Sequence, residues 1–320
     1  MKSEADAGRS LVSIVVLTKN GEKYFRSLLD GLYCQSGIDQ AEIIVIDSGS
    51  SDATLRIAAE YPKVKLVRIP PGDFGHGKTR NLGARLASGE FLVFLPQDAT
   101  PVGSDWLDNL LQPFESAQVV GVFGRQAARQ DASAMEEFFL SRTYHARPEV
   151  KSLGEGTSPS LARCFYSTVS GAIRAAAWRR FPFSEDVIMS EDQAWAVDVM
   201  RAGLSIAYQP SAEVLHSHRY GVTDVFRRNF DSGYSVRQIF HGATGISLGA
   251  VVAGLAEEMV FVLRRGSLAD SLKLLPYEAA RHAGFWLGLR ADRLPLRFNK
   301  ACSGLKYFWE QRADAGKVRQ

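Results

Sequence analysis

GDFGHGKT, residues 72–79, fits the phosphate-loop pattern G-x-x-x-x-G-K-[ST], and how it is read decides which α/β fold the chain adopts. The flanks make the question serious. KLVRI (65–69) before it reads as a strand and TRNLGARLAS (79–88) after it as a helix, the strand–loop–helix context the motif requires. FLVFLPQD (91–98) then ends an apolar strand on Asp98, as a second element of a nucleoside-triphosphate hydrolase would. Two observations oppose that reading. Two complete strand–helix units precede the segment, whereas a phosphate loop normally follows the first strand of its domain. Pro70 and Pro71 separate strand from loop and spoil the tight turn. A P-loop hydrolase stays as an alternative. Lys78 and Arg80, beside Gly75 and Gly77, still form a cationic, close-approach loop at a helix start, suited to a diphosphate.

Working outward, the first half alternates strand and helix. LVSIVVLT (11–18) is a β-branched run of the kind buried on both faces of a parallel sheet, and EIIVID (42–47) and FLVFL (91–95) repeat it. EKYFRSLLDGLYCQ (22–35) spaces Tyr24, Leu28, Leu29 and Leu32 as a helix does, and SDATLRIAAEY (51–61) is a second helix with Ser51 and Asp52 as caps. This alternation predicts an α/β fold, a Rossmann-like, mostly parallel sheet flanked by helices. Such sheets bind ligands at the carboxyl ends of their strands, so Thr18, Asn20, Asp47, Ser48, Gly49 and Asp98 are expected along one edge.

After Phe123 the pattern changes. GRQAARQDASAMEEFFLSRTYH (124–145) reads as a loop leading into a helix, and RPEVKSLGEGTSPSLA (147–162) as a mobile loop rich in Gly, Pro and Ser. SEDQAWAVDVMRAG (190–203) reads as a helix with a capping box at Ser190 and Gln193. SIAYQP (205–210) and AEVLHSH (212–218) read as two short strands. From Thr223 the chain is helical, with breaks near 242–249, Gly266 and Pro295.

Hydrophobic residues make up 46% and charged residues 23% of the 320, so a sizeable packed core is expected. The net charge of +3 is unevenly placed: from Phe226 onward 15 Lys/Arg face 8 Asp/Glu, a local +7 that leaves the first 225 residues at −4. A basic carboxyl-terminal part points to an anionic surface. Cys34, Cys164 and Cys302 are odd in number and widely spaced, which argues for a reducing compartment and against a zinc or disulfide framework. The polar MKSEADAGRS start is expected to carry no signal peptide. The most apolar window, ISLGAVVAGLAEEMVFVL (246–263), has Glu257 and Glu258 near its middle. Each would cost at least about 2 kcal/mol at a bilayer centre, so the segment is expected to be a buried or surface-lying helix.

Five motifs then occur in order: SIVVLTKNGE (13–22), EIIVIDSGSSDAT (42–54), HGKTRNLGA (76–84), FLVFLPQDATP (91–101) and MSEDQAWA (189–196). The series resembles the inverting glycosyltransferases of family 2, and the likeness spans roughly residues 11–240. FGHGKTRN (74–81), QDATP, GRQ (124–126), HSHRY (216–220) and LPYEAARHAGFWLGLR (275–290) look like the rhamnosyltransferase branch, which uses dTDP-β-L-rhamnose. The resemblance implies a GT-A fold with a helical C-terminal extension. It also implies a flexible terminus over 1–10, a nucleotide-sugar-binding half over 11–130, an acceptor-binding half over 131–222 and the extension over 223–320.

Residue by residue, the resemblance implies that Asp47 binds a pyrimidine base, with Thr18, Asn20, Ser48 and Gly49 lining that pocket. It places His76, Gly77, Lys78, Arg80, Asn81 and Gln97 on the donor, with Arg80 facing the diphosphate. Asp98 would hold a divalent cation, Mg²⁺ or Mn²⁺. Gln97 stands where the family often has another carboxylate, and this departure leaves room for His216 and His218, at i and i+2 on one strand face, as added ligands. It also leaves room for an inactive GT-A-like binding module as an alternative. Asp192 would be the base and Glu191 its orienting neighbour. Trp106, Trp178 and Trp195 are assigned to packing. The expected partners are a dTDP- or UDP-sugar, a saccharide or lipid-linked acceptor, and an anionic membrane surface, with no nucleic acid. The expected location is the cytoplasm, peripheral on the inner face of the cell membrane. Phe226, Phe230 and Tyr234, at four-residue steps, are expected to form the membrane-facing stripe, flanked by Arg264, Arg265, Arg281, Arg290, Arg293 and Arg297.

Overall fold

The computed structural model describes residues 11–244, 247–266 and 268–318. The expected flexible terminus 1–10, and Gly245 and Ile246 within the expected 242–249 break, lie outside the described residues. In chain order the first half runs β1 (Val12–Thr18), α1 (Glu22–Tyr33), β2 (Ala41–Asp47), α2 (Thr54–Ala59), β3 (Val64–Arg68), α3 (His76–Leu86), β4 (Phe91–Pro96), β5 (Thr100–Pro101) and α4 (Trp106–Leu111). Then come β6 (Val119–Ala127), α5 (Ala134–Thr143), β7 (Glu149–Lys151), β8 (Gly171–Arg174), α6 (Ala175–Arg180), α7 (Glu191–Arg201) and β9 (Ser205–Leu215). The extension is α8 (Val222–Phe240), α9 (Leu248–Arg265), α10 (Leu268–Gly288), α11 (Leu296–Cys302) and α12 (Lys306–Val318).

All the strands join one sheet in the order β3-β2-β1-β4-β8-β6-β9-β5, with β7 also on β9. The first four strands in space are parallel, as the apolar runs of β1, β2 and β4 predict, while β3, at the edge, carries Lys65 and Arg68. Beyond β4 the sheet is mixed: β8 is antiparallel to both β4 and β6, while β6 and β9 run parallel. Alternate residues feed two cores. Ile14, Val16, Ile43 and Val45 meet Phe25, Leu28, Leu29 and Leu32 of α1 on one face. Val15, Ile44 and Ile46 meet Ala84, Phe183 and Trp195 on the other. Each such large side chain, fully buried, contributes about 1.5–3 kcal/mol. Trp106 and Trp195 are fully buried, in keeping with packing roles.

Several expectations are corrected here. The 147–162 segment is not all loop: Glu149–Lys151 pairs with Ile206–Tyr208, because β9 offers an open edge at that height. The loop expected from residue 124 begins later, since β6 continues to Ala127. The two short strands around residue 211 are one strand, β9, with a register shift against β6 between Gly124 and Arg125. Ser190 precedes α7 in the left-handed region (φ 63°), and its side chain makes no capping bond, so no capping box forms with Gln193.

The aromatic stripe on α8 is not a free face. Phe230 and Tyr234 are buried, with Tyr234 4.9 Å from the ring of Trp309, because α12 and α10 cover them. α8 and α10 are so close that a Cβ on Gly233, Gly284 or Gly288 would lie 2.3, 2.3 or 2.0 Å from the carbonyl oxygens of Phe285, Phe226 and Phe230. Several arginines expected to flank a membrane are also engaged internally. Arg281 bonds Glu258 at 2.8 Å and Glu278 at 2.5 Å, Arg265 bonds Glu137 at 2.6 Å, and Arg290 stacks on Trp286 at 3.8 Å. No described helix is long and apolar enough to cross a membrane.

Candidate active site

The carboxyl ends of β1, β2 and β4 form the expected edge, with Thr18 opposite Asp47 in register. Asp47 is wholly buried. Its carboxylate accepts from Gly49 N (3.0 Å), Ser50 N (3.1 Å) and Ser50 Oγ, and so shapes the turn that follows β2. Ser48 N donates to Thr18 O at 3.0 Å. Gly49 sits at φ 91°, and a Cβ there would lie 2.6 Å from Pro71, so the turn and the 70–75 loop touch only because glycine is present. Asn20 (φ 50°) closes the other side: its Oδ1 accepts from Ser51 N at 2.8 Å and its own N donates to Ser50 Oγ at 2.8 Å.

Gln97 ties β4 to β1. Its Oε1 accepts from Thr18 Oγ1 (2.8 Å) and Lys19 N (2.7 Å), and its Nε2 donates to Lys19 O (3.1 Å). A carboxylate could not make the last bond, which is a physical reason for an amide here.

The phosphate-loop segment does not make a phosphate cradle. It follows β3, the edge strand of the sheet. α3 already begins at His76, and a Cβ on Gly77 would lie 2.0 Å from Ser184 O, so the backbone that would meet a phosphate is packed against protein. Thr79 is buried, and Lys78 projects outward, 3.5 Å from Asp73. Asn81 is likewise committed: Nδ2 donates to Phe183 O and Glu185 Oε1, both 2.9 Å, and Oδ1 accepts from Trp178 Nε1 and Phe183 N, both 3.0 Å. With its amide satisfied and buried, Asn81 pins the 181–185 segment and has nothing left for a donor. Arg80, expected to face a diphosphate, is instead buried in an ion pair with Glu191. His76 is partly buried beside it. Burial, then the charges of Arg80 and Arg228, push its imidazole down to about 3.

Asp98, directly after β4, meets the two histidines that follow β9. His216 Nε2 is 3.5 Å from Asp98 Oδ1, and His218 Nδ1 is 3.8 Å from Asp98 Oδ2. One ligand atom from each lies within 4.8 Å of the others. These separations are long for direct hydrogen bonds and suit donors gathered around a shared centre. His216 Nδ1 is 2.9 Å from Gln126 Oε1, which fixes the tautomer and turns Nε2 toward Asp98. Burial tends to raise the Asp98 carboxyl, but the His216 and His218 rings outweigh it and hold it below its usual range. Burial, then His216, lowers His218 to about 4, leaving a neutral, ligand-competent imidazole near pH 7. The donor set of one carboxylate and two imidazoles therefore fits a divalent transition-metal ion.

Asp192 stands in the first turn of α7. Its Oδ2 accepts from Thr168 N (2.9 Å) and Thr168 Oγ1 (3.1 Å), and its Oδ1 from Gln193 N (2.9 Å). Burial first, then the adjacent Glu191 charge, raise its proton affinity; Arg80 and Thr168 oppose this and do not overcome it. A carboxylate so placed is suited to taking a proton. Four residues given no role from sequence complete the arrangement. Gln126 bonds His216 and donates to Ser167 Oγ (3.0 Å), one residue before the Thr168 that holds Asp192. Arg129 donates to Asp98 O (2.8 Å) and Thr100 Oγ1 (3.0 Å). Glu136 Oε1 accepts from His218 N (3.3 Å). The GRQ triplet was the one available signal for Gln126; Arg129, Glu136 and Thr168 had none.

Comparison with known proteins puts a class to this arrangement, enzymes that transfer a sugar to an acceptor. The chain belongs to glycosyl transferase family 2, whose sequence profile matches residues 13–185, more than half of its length. It is 29% identical over 309 residues to the O-antigen chain rhamnosyltransferase RfbN of Salmonella typhimurium, covering 93% of this chain and 96% of the relative. It is 30% identical over 280 residues to the O-antigen chain rhamnosyltransferase WbaN of Salmonella anatum, covering 84% and 86%. Among solved structures it resembles mannosyltransferase PcManGT from Pyrobaculum calidifontis, in complex with GDP-Man and Mn²⁺, with a TM-score of 0.57, 19% identity and coverage of 89% and 87%. It also resembles residues 1–349 of Staphylococcus aureus TarS in complex with UDP-GlcNAc, with a TM-score of 0.51, 17% identity and coverage of 88% and 91%. These likenesses give the chain the GT-A fold, and the P-loop hydrolase alternative is set aside.

Proposed function

We propose that the protein is an inverting rhamnosyltransferase that moves L-rhamnose from dTDP-β-L-rhamnose to a lipid-linked saccharide during O-antigen-type surface polysaccharide synthesis. The observation that carries this reading is the pairing of the Asp98–His216–His218 cluster with a raised carboxylate at Asp192. The sugar and the acceptor class are drawn from the two rhamnosyltransferase relatives, which align along nearly their whole length. A pyrimidine nucleotide would occupy the edge formed by Thr18, Asn20 and the Asp47–Ser50 turn.

Asp98, His216 and His218 would hold a divalent cation, which supplies positive charge against the diphosphate as it leaves. Two imidazoles beside one carboxylate favour Mn²⁺ over Mg²⁺, because Mg²⁺ prefers oxygen ligands. Asp192 takes the proton of the acceptor hydroxyl while that oxygen bonds to the anomeric carbon. The bond from that carbon to the diphosphate breaks, and the electron pair leaves with the nucleotide. Thr168 orients Asp192, and the Arg80–Glu191 pair fixes the start of α7 against α3.

The test is transfer from dTDP-rhamnose, UDP-sugars and GDP-mannose to a lipid-linked acceptor, with Mn²⁺, with Mg²⁺ and with chelator. Preferred use of dTDP-rhamnose with Mn²⁺ supports the reading. Turnover of GDP-mannose alone, or full activity in chelator, overturns the donor or the cation assignment respectively.

A further inference from the structure

We infer that the α9–α10 hairpin is a membrane-docking element for an anionic lipid surface; this rests on the lipid-linked acceptor proposed above. The hairpin turns at Gly266, whose N donates to Val262 O at 2.6 Å. Its inner side, through Val262, Leu274 and Tyr277, packs on α5 and α8. Its outer side is apolar and uncovered: Leu263 is 65% exposed, Leu268 78%, Leu272 72% and Leu275 75%. Leu268, Leu272 and Leu275 follow at i, i+4 and i+7, so they share one helix face.

Charge decides the occupant. Arg264 and Lys273 are exposed beside these leucines. Asp270, the acidic residue of the first turn of α10, is partly buried and accepts from Ala134 N at 3.4 Å. The outer face thus offers leucines flanked by two exposed cations, Arg264 and Lys273. A second copy would bring like charge against like, whereas an anionic leaflet complements both the cations and the leucines. Because no described helix can span a bilayer, the element lies on the surface.

Its position relative to the chemistry fits a lipid-borne acceptor. α5 is bolted to the hairpin by Glu137–Arg265 and Arg142–Glu257, both 2.6 Å. The same helix supplies Glu136, which holds the backbone of His218. One helix, about 10 Å across, therefore separates the hairpin from the Asp98–His216–His218 cluster, and the hairpin's own thickness adds the rest of the distance to its outer face.

The experiment is co-sedimentation of the full chain with vesicles of phosphatidylglycerol and phosphatidylethanolamine, and separately of phosphatidylcholine, at low and high salt. The wild type is expected to pellet with the anionic vesicles. The triple variant Leu268→Ser, Leu272→Ser, Leu275→Ser should pellet at least tenfold less, with an unchanged melting temperature and unchanged transfer to a water-soluble acceptor. Arg264→Glu with Lys273→Glu should remove the salt-sensitive part of binding. A wild type that stays in the supernatant with anionic vesicles, or a leucine variant that pellets equally, overturns the proposal. So does a dimer in sedimentation velocity that the leucine variant dissolves, because the face would then be a self-interface. Vesicle binding is read without any sugar transfer, so failure of the rhamnosyltransferase reading would show separately.

Discussion

Gln126 Oε1 lies 2.9 Å from His216 Nδ1, and this contact links the Asp98–His216–His218 cluster to Asp192, the proposed base. The same side chain donates to Ser167 Oγ, whose neighbour Thr168 holds Asp192. The two halves of the chemistry thereby share a hydrogen-bonded scaffold between β6, β9 and the turn before β8.

Gln126→Ala frees the His216 ring, and Mn²⁺ affinity should fall by about 10–100-fold, while Gln126→Glu, which still accepts from Nδ1, should lose less. Calorimetric titration with Mn²⁺ measures this. An alanine variant that binds Mn²⁺ as the wild type does would show that the amide does not orient the ring.

Asp192→Asn should lower the transfer rate on the order of 10²-fold or more and leave dTDP-sugar affinity near normal. The base must be deprotonated, so the rate rises with pH through its pKa. Burial and Glu191 raise that pKa, so the acid limb should lie above the ordinary carboxylate value of about 4. Thr168→Val removes one donor to the carboxylate and should move the limb further up. An acid limb that stays put in both variants would assign it to another group.

Asn81→Ala should cost roughly 2–4 kcal/mol of stability, since it strands buried groups on the 181–185 segment and on Trp178. Donor affinity should stay within about twofold, because none of the four bonds faces the donor edge. A weakened donor with unchanged denaturant midpoint would return Asn81 to the binding site.

Glu42 gives a pH prediction for the fold. Burial pushes its carboxyl up, but bonds from Lys65, Ser88 and Ser13 outweigh this and bring it from 4.5 down to about 2. Its folded pKa is depressed, so its contribution is fully present above pH 4.5 and is lost as pH falls through about 2. Glu42→Gln should flatten the acid dependence of the melting temperature in that window. An unchanged slope would place the acid sensitivity elsewhere.

The parallel half of the fold was legible because β1, β2 and β4 are apolar runs and α1 carries a clear apolar face through Leu28, Leu29 and Leu32, although Phe25 rather than Tyr24 completes it. β7 was hidden: Glu149, Val150 and Lys151 are three residues in a Gly- and Pro-rich stretch, and only the open edge of β9 makes them a strand. The cluster of Asp98 with His216 and His218 was anticipated from an i, i+2 pair on one strand face, but β9 ends at Leu215 and both histidines lie in the segment that follows it. Sequence shows charge and polarity but not commitment: Asn81 is held by Phe183 and Arg80 is paired with Glu191, each partner more than 90 residues away. The α8 stripe of Phe230 and Tyr234 failed for a related reason, since periodicity marks an apolar face without saying whether protein or lipid covers it.

The glycine seam between α8 and α10 has a further bearing on the chemistry. Backbone against backbone leaves no side-chain cushion to absorb a change, so the two helices must move as one body. α8 starts four residues after His218, and any widening of the seam would be passed along the chain to that imidazole. A Gly288→Ala change, made against Phe230 on α8, would be felt first as a shift of His218 relative to Asp98.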